Sequence, residues 1–176
     1  MRYVALLRGI NVGGRNKVPM AQLRGALAET FADVQTYIQS GNVVLESDRT
    51  APEVAATIEA LLPATFRLET ELIRVLVLDA AAYQEVLDGA PDGFGSDPDT
   101  YRYDVLFYVG ITGADVEPYI HVHPDVDTVL IGERAVYRRR LTALASRSRL
   151  SKIAGTPVFP LLTIRNCRTT TTLGDM

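Results

Sequence analysis

Apolar residues in this chain fall in short runs whose period switches between that of a strand and that of a helix. Tyr3-Val4-Ala5-Leu6-Leu7 is a continuous apolar run of strand length and predicts a buried strand. Arg8 to Val18 holds three Gly and two Asn, which predicts a loop. Pro19 suits the first turn of a helix, and Met20, Leu23, Leu27 and Phe31 then recur at helical spacing. Val34 to Ile38 predicts a strand, Gln39-Ser40-Gly41-Asn42 a turn, and Val43-Val44-Leu45 the returning strand of a hairpin. Thr50 fits a helix cap, with Pro52 near the start of a helix running to Leu62. Glu71 to Leu78 is rich in strand formers. The order strand, helix, strand, strand, helix, strand is the split βαβ, ferredoxin-like plan.

The pattern then starts again. Asp79 to Leu87 reads as an extra helix, and Pro91 to Thr100 as a loop or linker rich in Gly, Pro and Asp. Arg102 to Val109 predicts a strand, Thr112 to Ile120 a short helix, and Val126–Ile131 with Ala135–Arg139 a hairpin around Gly132-Glu133. Leu141 to Ile153 reads as helical, Pro157 to Ile164 as extended, and Thr169 to Thr172 as a capped or extended tail. Arg2-Tyr3 leading to Gly9-Ile10 resembles Arg102-Tyr103 leading to Gly110-Ile111. The expectation is an α+β protein of two ferredoxin-like halves, a duplication, with subdomains at residues 1–90 and 101–176.

Charge is sorted along this frame. Residues 1–24 carry five basic side chains and no acid, residues 25–133 four against twenty acids, and residues 134–176 nine against Asp175 alone. If the fold joins the two ends, their field favours an anionic ligand. No stretch approaches the ~18 apolar residues of a membrane span. Met1–Leu7 reads as a strand rather than a leader, and the single Cys167 excludes an intrachain disulfide. A cytoplasmic protein with no membrane partner is expected.

The loop after the first strand has the chemistry of an anion cradle. Gly13-Gly14 lets successive N–H groups converge on one oxyanion, and Arg8, Asn11, Arg15 and Lys17 supply cations and an amide. A nucleotide-hydrolysing P-loop is excluded, because Arg15 and Asn16 stand where Lys and a hydroxyl residue are needed. The same residues also suit a solvated surface loop. Gln39, Ser40 and Asn42 in the hairpin turn, and Arg165 and Asn166 near the C-terminus, complete the candidate ligand-binding set. Ordinary turn chemistry and a structural tie are the competing explanations for them.

Leu7-Arg8-Gly9-Ile10-Asn11-Val12-Gly13-Gly14, Tyr37-Ile38-Gln39-Ser40-Gly41-Asn42-Val43-Val44 and Thr163-Ile164-Arg165-Asn166-Cys167-Arg168-Thr169 resemble three stretches of the bacterial domain of unknown function 1697 family. The resemblance implies a duplicated ferredoxin-like fold and brings no established activity. In that family an aromatic usually follows the Arg-Asn pair, where this chain has Cys167.

Other constellations are thinner. His121, His123 and Asp125 share a strand period, but Pro124 between them favours a turn, so no metal site is expected. No Gly-x-Ser-x-Gly is present, and neither His lies near Cys167 in sequence, so no nucleophile is assigned and catalysis stays open. Arg138-Arg139-Arg140, Ser146 to Lys152 and the tyrosines of the second half leave nucleic-acid binding as an alternative, beside a protein-interaction module. The favoured partner is a phosphate-bearing small molecule or nucleotide, with no cofactor.

Overall fold

The computed structural model describes all 176 residues. The opening apolar run forms β1 (Arg2–Leu7), which lies between two antiparallel neighbours, β3 (Asn42–Glu46) and β4 (Val75–Asp79). With β2 (Ala32–Tyr37) they make a sheet of order β2-β3-β1-β4. Two helices, α1 (Met20–Ala28) and α2 (Ala51–Thr65), complete the split βαβ plan. Tyr3, Ala5 and Leu7 pack with Val43, Leu45, Leu23, Leu27, Ile58 and Leu62 in one core. Val4, Leu6 and Val44, which point to the other face, are buried too. That is why β1 is apolar at every position from Tyr3 instead of alternating. The helix α2 is held at its start by a reciprocal cap. The Thr50 N–H and hydroxyl both donate to the Glu53 carboxylate, at 2.8 and 2.7 Å.

A helix, α3 (Ala80–Asp88), follows β4 directly. The second sheet comprises β5 (Tyr101–Tyr108), β6 (Asp127–Ile131), β7 (Ala135–Leu141) and β8 (Leu162–Asn166), in the order β6-β7-β5-β8. A one-turn helix, α4 (Gly113–Val116), stands where α1 stands in the first half, and α5 (Cys167–Asp175) follows β8 as α3 follows β4. The chain divides into two compact units, Met1–Gln84 with Met176, and Glu85–Asp175. Tyr137 of β7 is anchored to α3, its buried hydroxyl donating to the Val86 carbonyl at 2.6 Å. Burial pushes that phenol's pKa up to about 12.

The two halves match element by element, and the match reaches single residues. Tyr3 pairs with Asp79 across β1 and β4, and Asp104 pairs with Asn166 across β5 and β8. Asp79 and Asn166 then each accept a backbone N–H from the following helix, from Ala82 at 2.8 Å and from Thr169 at 2.7 Å. Aligning these registers sets Tyr3 against Asp104 and Gly9 (φ 75°) against Gly110 (φ 73°). The correspondence of Arg2-Tyr3 with Arg102-Tyr103 read from sequence is therefore off by one residue. In a strand that slip exchanges the two faces.

Several boundaries differ from the sequence reading for identifiable reasons. The predicted strand from Glu71 begins only at Val75, following a segment that the Asn16 side chain ties down by accepting the Glu69 and Thr70 N–H groups. The predicted helix over 141–153 is instead two 3₁₀ segments, Thr142–Arg147 and Leu150–Gly155. Buried Asp127 breaks it by accepting the Arg149 N–H at 2.9 Å, and Ser148 between the segments is extended. The expected extended stretch from Pro157 contains a 3₁₀ turn, Phe159–Leu161, before β8. Thr169 to Thr172 are helical despite poor propensity, because Thr169, Thr170 and Leu173 are buried and the Asn166 cap starts the helix.

Asp127 also accepts the His123 N–H at 2.8 Å. Burial raises the carboxyl's pKa. The Ser148 hydroxyl, the two backbone N–H groups and the His123 charge outweigh it and hold the carboxyl below its ordinary value of 3.8. A depressed folded pKa gives stability that is complete above the unfolded value and is lost as pH falls through the folded one. Asp127→Asn should therefore cost about 1–3 kcal/mol at neutral pH and flatten the loss of stability on acidification, measured by urea unfolding at stepped pH.

Candidate functional site

The loop after β1 is a miniature hairpin. The Arg15 N–H donates to the Val12 carbonyl at 3.0 Å, with Gly13 (φ 59°) and Gly14 (φ 78°) at the tip. Two successive positive φ values are the requirement of a type I′ turn, and glycine meets it without strain. The Gly13 and Gly14 N–H groups donate to no other group of the protein. Asn11 ties this loop to its surroundings. Its Oδ1 accepts the Val18 N–H at 2.8 Å, and its Nδ2 donates to the carbonyls of Val18 (2.9 Å) and Gln39 (2.8 Å). The loop and the β2–β3 hairpin are thus brought together, as the candidate set required.

Within that hairpin, buried Asn42 donates to the Tyr37 carbonyl at 3.0 Å and to the Ser40 hydroxyl at 2.9 Å. Gly41 has φ 79°, and a Cβ there would meet Ile10 and Leu7 at 2.9 Å, so only glycine fits. Arg15 pairs with Glu69 at 3.0 Å in the open. Arg8 is half-buried, which lowers its pKa while leaving it cationic, and Lys17 is exposed. Arg165 and Asn166 lie in the second unit. Arg165 is buried and donates to the Ile164 carbonyl at 2.8 Å, and Asn166 is the cap of α5. The amides of Asn11, Asn42 and Asn166 hold the fold, and Arg8, Arg15, Lys17, Gln39 and the Gly13-Gly14 amides remain the accessible polar groups of the set, Arg15 being paired with Glu69.

A larger feature occupies the second unit. β8 ends at Asn166 opposite Asp104, so Tyr101–Tyr103 of β5 have β7 on one side and no strand on the other. At this open edge lies a cavity of about 790 Å³. Arg102 and Arg140, direct partners across β5 and β7, line it together with Arg168 in the first turn of α5. Asp104 also lines it but is engaged by Arg138 at 3.1 Å, with side chains only 12% and 18% exposed for Arg138 and Asp104. Asp127, opposite Arg140 on β6, forms no ion pair with it. None of Arg102, Arg140 and Arg168 has an ion pair or side-chain hydrogen bond within the protein, and the Arg140 Nε is buried without a partner.

The remaining wall is aromatic. Phe94 stands edge-on to Tyr103 at 5.1 Å and to Tyr137 at 5.7 Å, which fixes the segment expected to be a linker against the sheet. One face of Tyr101 carries the Arg139 guanidinium at 4.4 Å. The Arg triplet is therefore divided, with Arg138 and Arg140 on one face and Arg139 on the other. Gly95 packs on Cys167 so closely that an added Cβ would lie 2.6 Å from the sulfur. Burial pushes the Cys167 thiol up in pKa, and the Thr171 hydroxyl only partly offsets this, so it is a protonated wall group. No three His, Cys, Asp or Glu side chains converge as metal ligands.

Arg102, Arg140 and Arg168 were outside the candidate set. In sequence they are 28 or more residues apart from one another. Only the β5–β7 register brings the first two together.

Fold and cavity together define a two-unit protein with one split βαβ sheet in each unit. Residues 1–137 match the family described as "Protein of unknown function (DUF1697)", and the chain belongs to it. Its structure is similar to that of the conserved bacterial protein SP0830 from Streptococcus pneumoniae. The identity is 26%, the coverage 99% of this chain and 97% of that one, and the TM-score 0.79. No curated protein matches the chain. No helix is long and apolar enough to cross a membrane.

Asn11→Ala should cost about 1–3 kcal/mol, since three hydrogen bonds go with the amide. Amide exchange at Val18 should speed up, while exchange in β5 should not change.

Proposed function

We propose that this protein binds a small anionic molecule, a phosphorylated metabolite or nucleotide, in the cavity of its second unit. The reading is carried by three guanidinium groups, those of Arg102, Arg140 and Arg168, around one cavity, none of them held in an ion pair. Guanidinium groups are suited to bidentate contact with phosphate or carboxylate. Arg102 and Arg140 face each other directly across two strands, a like-charge arrangement that weakens a sheet unless an anion bridges it.

A second reading places an anion at the loop of the first unit, between Arg8, Lys17 and the Gly13-Gly14 amides. It is favoured by those amides having no partner within the protein. Nucleic-acid binding is less well supported, because Arg138 is paired and Arg139 is stacked on Tyr101, which breaks the run of free cations.

Thermal unfolding with inorganic pyrophosphate at low and high salt separates these readings. A ligand at 100 times its Kd adds about 2.7 kcal/mol of stability. The shift should be present in the parent, in Arg8→Ala and in Lys17→Ala, and absent in Arg102→Ala and Arg140→Ala. Without ligand, Arg102→Ala should be no less stable than the parent, to within about 0.5 kcal/mol. Loss of the shift in the Arg8 and Lys17 variants alone would transfer the site to the first unit. No shift with any anion removes both readings.

A further inference from the structure

We infer that the ligand of the second unit's cavity is a phosphate ester carrying a planar aromatic ring, of mononucleotide size. This rests on the anion-binding reading above and goes beyond it in naming the ligand's two ends.

Charge sets the first end. Asp104 is engaged by Arg138, and Arg102, Arg140 and Arg168 line the cavity without an ion pair, the Asp127 carboxylate across from Arg140 being the one acid beside them in register. A single carboxylate would answer one of them, whereas a phosphate ester brings about two negative charges and three acceptor oxygens. The buried Arg140 Nε has no acceptor within the protein, and a buried unpaired donor is costly. A phosphoryl oxygen held between the guanidinium ends of Arg140 and Arg102 would relieve the cross-strand repulsion.

Size and the opposite wall set the second end. The cavity of about 790 Å³ is far larger than free phosphate needs and falls within the ~300–1,000 Å³ range of pockets that enclose whole small molecules. Phe94, Tyr101 and Tyr103 line the same cavity from the opposite face of β5, which the cavity reaches around the strand's open edge. Arg139 stacks on one face of Tyr101 and Tyr103 lies tilted beside it at 6.2 Å, so the ring that lines the cavity is held in place for a flat partner. The Thr172 hydroxyl at the cavity has no partner in the protein and can read a polar edge.

The first unit serves as an internal comparison. Tyr3 fills the position of Asp104, its ring buried and its hydroxyl donating to the Arg49 carbonyl at 2.8 Å. Met1 and Ser47 hold the register positions of Arg102 and Arg140 and join through two main-chain hydrogen bonds, the Ser47 N–H donating to the Met1 carbonyl at 2.9 Å and the Met1 amino group to the Ser47 carbonyl at 2.8 Å. The opposed arginines are therefore not demanded by the fold, since the same fold is built without them.

Titration calorimetry on the full chain, using adenosine monophosphate, ribose 5-phosphate, adenosine and succinate, tests the inference. Adenosine monophosphate should bind about tenfold or more tightly than ribose 5-phosphate, as expected for one stacked base, while adenosine and succinate bind weakly. Tyr101→Ala should bring adenosine monophosphate down to the ribose 5-phosphate level, Tyr101→Phe should not, and Arg140→Ala should abolish both. Equal affinity for the two phosphates, lost in Arg140→Ala, overturns the ring and leaves anion binding standing. Tighter binding of succinate overturns the phosphate. Absence of binding by both phosphates and succinate removes this inference and the reading beneath it together.

Discussion

A central strand buried on both faces cannot shift by one residue without exchanging them. β1 and β5 are such strands, each with hydrogen-bonded neighbours on both sides along most of its length. Everything else in this protein hangs on that constraint. In β5 it sends Leu106 and Tyr108 into one core with Val136 and Leu162. The same parity then requires Arg102 and Asp104 to lie on that face toward the other end of the strand, with Arg138 and Arg140 opposite them. The polar end of β5 is thus fixed by the apolar end. A cation pair that local interactions would drive apart is held in place by packing elsewhere in the sheet.

Both sheets were legible in the sequence because their strands are short, apolar and separated by Gly, Asn and Pro. The element order was sufficient to give the split βαβ plan, and the Thr50 cap of α2 was visible as Thr, Pro and Glu at the right spacing. What failed was the helical reading of 141–153. Its cause, the Asp127 carboxylate, lies on another strand and takes backbone donors that a local pattern assigns to a helix. The slip between Arg2-Tyr3 and Arg102-Tyr103 has a similar origin. Identical dipeptides attract the eye, but parity along the strand decides correspondence, and parity is set by partners distant in sequence.

The candidate site was legible in a more uneven way. The Asn-rich loop and the Gln-Ser-Gly-Asn turn do come together, through Asn11 and the Gln39 carbonyl. The same chemistry that suggested ligand contacts is largely used in making that junction. Asparagine tolerates positive φ and offers a donor and an acceptor at once, which suits it to latch loops as well as to hold ligands. Composition alone does not separate the two uses. The cationic cavity shows the reverse case. Arg102 lies in the acidic middle of the chain, where charge sorting along the sequence points away from an anion site. Its neighbours in space come from β7 and α5.

Two halves built on one plan supply the setting in which such a cavity can arise. Two copies of one plan need not both meet the same demands of stability. In the first unit the fifteen-residue α2 and the buried Tyr3 ring close the end of the sheet with apolar and satisfied polar groups. In the second unit 3₁₀ turns stand in place of that helix, Asp104 stands in place of the tyrosine, and the end of the sheet is open and charged. Functional sites characteristically carry such local costs, offset by the packing around them. By that measure the first unit, with its longer helices, supplies the more regular copy of the fold, and the second is the copy that gathers arginines at the open end of its sheet.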